Sequence, residues 1–106
     1  MEIKTAKEAK KLSLKVWVFL RNHPYIDTKD ELIEEYPKFK WLEDCNSRCP
    51  LCEYFKNFYD TDCHKCPLIF CIDYDAPYKR WANATNMDER KKAANDLVKQ
   101  LKAWKV

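Results

Sequence analysis

Cys49-Pro50-Leu51-Cys52, a spacer of ten residues, and then Cys63-His64-Lys65-Cys66 form the stretch around which this chain is organised. Two Cys-x-x-Cys pairs are how a tetrahedral zinc ion is usually gripped. Each pair presents two thiolates on one tight turn, and two turns close the shell. The spacer is shorter than the common ribbon spacing, yet it leaves room for two helical turns over Glu53 to Asp60. All six cysteines fall between Cys45 and Cys71. Cys49, Cys52, Cys63 and Cys66 are the best-placed ligands, with Cys71, His64 and Cys45 as alternates. A histidine between two cysteine ligands more often points outward or bonds behind the ligand shell. Four thiolates leave no open position for an activated water, so the zinc reads as structural rather than catalytic.

Three other readings of the cysteines compete with zinc. A disulfide framework needs an oxidising compartment. The stretch Met1 to Lys11 is rich in lysine and lacks an apolar core, so no secretory signal is read there and a cytoplasmic protein is expected. Unconnected buried cysteines have no reason to fall into two Cys-x-x-Cys pairs. A redox dithiol at Cys49 and Cys52 is the sharper rival, but that chemistry normally sits in a strand-helix-strand setting. No strand-rich segment precedes Cys49.

At 106 residues the chain has room for one domain with a modest core, and a domain this small needs a staple. The whole of 1–106 reads as one unit: N-terminal helices over 1–44, the zinc module over 45–75 and C-terminal helices over 76–106. There is no glycine, which excludes the phosphate-cradling loop and the dinucleotide fingerprint, both built on glycine turns. A nucleotide ligand is therefore not expected. No apolar run approaches the roughly 18–20 residues of a membrane span, so no membrane partner is expected. Net charge is +3, with basic ends around an acidic middle. Residues 1–21 carry +4 and 27–44 carry −4, while 45–75 carry −2 and 76–106 carry +5. The terminal helices are expected to complement the acidic middle, or else to make a two-faced surface for partners.

The remaining pattern is helical, so the expected class is mainly α, a small helical domain organised around a zinc knuckle pair. Thr5, Thr28 and Thr85 each stand three residues before an acid, the box in which a hydroxyl caps a helix and the carboxylate reaches back. The first helix is expected from about Ala6 to Arg21, with Ala9, Leu12, Val16, Phe19 and Leu20 on its apolar face. Lys4, Lys7, Lys11 and Lys15 fall on another face. It ends before Pro24, because the residue before a proline is biased away from helix. A short helix over Lys29 to Tyr36 and a helical turn over Phe39 to Leu42 follow. Pro77 is a favoured first-turn residue and starts another short helix. The last helix, Met87 to Trp104, has Ala94, Leu97, Val98, Leu101 and Trp104 as its stripe.

Tyr74, Tyr78 and Trp81 make a helical i, i+4, i+7 stripe beside Lys79 and Arg80. Core packing accounts for such aromatics most simply. On a surface they anchor protein interfaces or stack on unpaired bases. Asn83-Ala84-Thr85 has the form of a glycosylation triplet, which carries no meaning in a cytoplasmic protein.

Cys49-x-x-Cys52-Glu53-Tyr54, Cys63-x-x-Cys66-Pro67-Leu68, Cys71 and Tyr78-x-x-Trp81, followed by the Lys-, Arg- and Ala-rich run from Asp88 to Lys102, resemble small cysteine-rich proteins encoded by tailed phages and prophages. The resemblance covers about residues 41–104, and Cys45 lies outside the shared pattern. It implies a zinc-bearing viral protein made in the host cytoplasm and brings no function with it.

No nucleophile–base pair is legible, so the expected function is non-enzymatic. The first expectation is a zinc-stabilised protein-binding module with Tyr74, Tyr78, Lys79, Arg80 and Trp81 at its surface. If the phage resemblance holds, it binds and modulates or inhibits a host protein or defence complex. A nucleic-acid-binding zinc module is the alternative, although a pI of about 8.5 and an acidic middle argue against it. A thiol redox protein using Cys49 and Cys52 comes third. Native mass spectrometry is expected to find one zinc per chain, and only the metal-free mass, or disulfides in cytosolic protein, contradicts this. Cys52→Ser is expected to lower stability with loss of zinc, since ligation in small domains is folding free energy. Cys45→Ser is expected to be mild beside it.

Overall fold

The computed structural model describes residues 3–45, 49–51 and 77–105. Among these the chain is mainly helical, with no strand. Helix α1 spans Ala6–Asn22 and α2 spans Lys29–Glu35. A 3-10 helix follows over Pro37–Asp44, then α3 over Pro77–Asn83 and α4 over Met87–Ala103.

The helix starts follow from their caps. Thr5 accepts the Glu8 N–H at 3.1 Å, and Thr28 accepts that of Glu31 at 3.0 Å. Each supplies one of the four backbone donors that a helix start leaves unpaired. The third cap corrects the expectation by one residue: Asn86, not Thr85, accepts the Glu89 N–H at 2.9 Å. Asn is as good a cap as Thr. The shift lets the Glu89 carboxylate accept from Thr85 at both its N–H (3.2 Å) and its hydroxyl (3.3 Å). Pro37 opens the 3-10 helix and stops α2 at Tyr36, as the residue before a proline requires.

α1 and α4 form the long pair. Lys10 Nζ near the start of α1 donates to the Trp104 carbonyl at 2.6 Å, and Arg21 at its other end donates to Asn95 Oδ1 at 3.4 Å. Arg90, near the start of α4, donates to the Pro24 carbonyl. The two helices therefore run antiparallel. Their facing stripes are Ala9, Ser13, Val16, Trp17 and Leu20 on α1, and Ala93, Ala94, Leu97, Val98 and Leu101 on α4. Small residues at 9, 13, 93 and 94 allow close approach. Each fully buried leucine or valine contributes about 1.5–3 kcal/mol of transfer free energy.

The α1 stripe differs from the expected one. Leu12 and Phe19 are half-buried at its flanks, whereas Ser13 and Trp17 are buried at its centre. Residues Leu12 to Leu20 are apolar almost all the way round, so periodicity left the facing side open. The Trp17 indole decides it, packing edge-on to Trp81 (5.1 Å, 89°) and to Tyr78 (6.1 Å, 83°) of α3. Lys29 of α2 closes this corner. Its stem is buried, and Nζ lies 4.9 Å from the Tyr78 ring centre and 5.6 Å from that of Trp17, cation–π distances that tie α2 to α1 and α3.

Ser13 is fully buried, and its hydroxyl has no hydrogen-bond partner among the described residues. An unsatisfied buried hydroxyl costs about 1–3 kcal/mol. Ser13→Ala is therefore expected to raise the melting temperature, and a fall instead indicates that the hydroxyl is bonded in solution.

Candidate functional site

With one side of α1 committed to α4 and α3, the rest of its circumference faces elsewhere. Lys7, Lys11 and Lys15 are exposed and follow one another at i, i+4 spacing. A rise of 1.5 Å per residue makes this row about 12 Å long. Leu14 and Val18 lie beside it, half-buried. The 3-10 helix supplies an opposing wall with Lys38, Phe39 and Trp41. The groove between them has a volume of about 920 Å³, and Lys10 also lines it. Among the described lining residues five are lysines and none is a carboxylate.

One end of the groove is an aromatic cluster. The Phe19 ring stacks on His23 at 3.9 Å and 13°, and its edges meet Phe39 at 4.9 Å and Tyr36 at 4.7 Å. Lys38 Nζ sits 4.5 Å from the centre of the Phe19 ring and 5.5 Å from that of Phe39. His23 Nδ1 lies 2.8 Å from the Phe19 carbonyl. A carbonyl only accepts, so Nδ1 carries the proton. The Tyr25 and Tyr36 hydroxyls bond to one another beside this cluster. That hydrogen bond, with burial and nearby carboxylates adding to it, raises the Tyr25 phenol above its ordinary 10.0. Lysines line the surface on both walls.

Of the residues singled out in the sequence, Cys52, Cys63, His64, Cys66, Cys71 and Tyr74 lie outside the described residues. Cys49 and Cys45 are buried, 8% and 6% exposed, within the same core as Leu32, Leu42 and Leu51. Cys45 Sγ lies 3.9 Å from the Trp41 carbonyl. Among the described residues no three metal-ligating side chains come together. Trp81, expected at an exposed aromatic surface, is instead 2% exposed, because α3 lays its indole between Trp17 and α4. Tyr78 is half-buried on Trp17, and Lys79 is half-buried. Arg80 is exposed and pairs with Asp96 of α4 at 3.0 Å.

The sequence carried half of the groove. The lysine row was legible as helical spacing, but Leu14 and Val18 beside it were not singled out, and the 3-10 wall comes from tertiary packing.

Comparison with known proteins finds no matching family model, no matching curated protein and no matching solved structure. No helix among the described residues is long and apolar enough to cross a membrane.

Trp81→Ala is expected to cost about 3–5 kcal/mol of stability by leaving a cavity beside Trp17. Arg80→Ala, which removes an exposed ion pair, is expected to cost less than about 1 kcal/mol. Denaturant unfolding of both variants checks this, and equal costs contradict the burial of the indole.

Proposed function

We propose that this chain is a non-enzymatic, zinc-stabilised protein-binding module that engages its partner through the lysine-rimmed groove of α1 and the 3-10 helix. The observation that carries the reading is an apolar floor enclosed by lysines with no carboxylate among the described lining residues. Interfaces pair an apolar centre with a polar rim whose charge selects the partner. The zinc is held by Cys49, Cys52, Cys63 and Cys66. Their paired spacing supports this. Tyr78, Lys79 and Arg80 remain a second candidate contact, on α3.

The resemblance to small cysteine-rich phage proteins supports a module that acts in a host cytoplasm and modulates a host protein or defence complex. In the groove His23 has Nδ1 committed to a backbone carbonyl, and no carboxylate stands among the described lining residues.

The lysine row also favours nucleic acid in principle, but the aromatic rings are badly placed for stacking on bases. Phe19 carries His23 on one face and has Lys38 over it, and Phe39 is 5% exposed. Capture on the immobilised chain from host lysate, with nuclease present, is expected to retain specific proteins. Fluorescence anisotropy with single- and double-stranded oligonucleotides across a salt series is expected to show only weak binding. Tight binding that falls steeply with salt, tracking phosphate contacts, overturns the protein-binding reading.

A further inference from the structure

We infer that the occupant of the groove is an acidic amphipathic helix presented by the partner protein, an assignment that rests on the protein-binding reading above. Charge is the first argument. Lys7, Lys11 and Lys15 form one straight row of exposed cations, and Lys38 faces them from the 3-10 helix. No carboxylate among the described lining residues neutralises them. A ligand lying there must bring its own negative charge.

Spacing is the second argument. The row rises about 12 Å over two helical turns. Carboxylates at i, i+4 and i+8 of a helix lying along α1 repeat with the same rise and meet the lysines one for one. The floor is the third. Leu14 and Val18 are aliphatic, and Trp41 adds a half-buried indole. This surface takes the apolar i, i+3, i+4, i+7 anchors of a helix laid in a groove. A volume of about 920 Å³ stands near the top of the roughly 300–1,000 Å³ range of ligand pockets, suited to several side chains rather than a lone anion. Lysine in place of arginine fits as well: its charge is a point on a flexible stem, without the planar fork that arginine offers to phosphate.

The test uses labelled helical peptides of about 18 residues, long enough to hold some helix in water. One is amphipathic and acidic, with Leu on one face and Glu along both edges. A second has Lys for Glu, and a third keeps Glu with Ser for Leu. Fluorescence anisotropy against the full-length zinc-loaded chain is expected to show binding of the first alone. Lys11→Glu combined with Lys15→Glu, both on exposed positions, is expected to weaken it about tenfold or more and to gain affinity for the Lys peptide. That charge exchange is a readout that partial unfolding does not produce. Absent binding of the acidic amphipathic peptide, or equal binding of the Ser-faced one, overturns the inference. Proteins captured from lysate separate the two levels. If their retention ignores the double variant, the helix-in-groove assignment falls while protein binding stands. If oligonucleotides are the tight ligands, both fall.

Discussion

The antiparallel packing of α1 on α4 is the contact on which the other elements depend. Ala9, Ser13, Val16 and Leu20 face Ala94, Leu97, Val98 and Leu101, all buried, and polar clamps fix the two ends of the pair. Lys10 holds the last turn of α4, and Arg90 holds the turn after α1. The contact joins residues about eighty positions apart, so it forms only when the chain closes on itself. Closing so long a loop costs entropy that grows slowly with length, and the buried stripe must offset it. The zinc site proposed above would shorten the same loop.

The packing also sorts the surface. Trp17 turns inward to meet Trp81 and Tyr78, so α1 is held at one rotation. That rotation leaves Leu14 and Val18 off the main stripe and stands Lys7, Lys11 and Lys15 in the open. The 3-10 helix then completes a groove, because Phe39 packs against Phe19 and brings Lys38 and Trp41 with it. One face of α1 is spent on folding and another is available for binding. Substitutions on the two faces should therefore separate stability from affinity.

How far the sequence foretold this can be followed residue by residue. Thr5 and Thr28 announced their helices because a hydroxyl followed three residues later by an acid satisfies a local need. Thr85 misled by one position, since Asn86 competes for the same task. Pro77 marked a start through its fixed φ, whereas the 3-10 helix begins at Pro37, two residues before the turn expected at Phe39. The stripe of α4 was legible because its polar residues leave only one apolar side. That of α1 was ambiguous because Leu12 to Leu20 is apolar on most sides, and the choice fell to an indole contact with α3. Trp81 was expected at the binding surface, and the placement of α3 against Trp17 buries it instead. The lysine row could be read, but its opposing wall could not, because local spacing says nothing about which distant element will face a helix.

Amide hydrogen exchange tests this division of α1 most directly, measured on the wild-type chain and on a Lys7→Ala, Lys11→Ala, Lys15→Ala variant. If the inner face holds the fold, amides of Val16 to Leu20 and Ala94 to Leu101 are the slowest and exchange through one common opening. The triple variant should leave those rates unchanged within about twofold, since exposed charges away from buried partners contribute little to stability. Independent exchange of α1 and α4, or a large acceleration in the triple variant, would contradict the account.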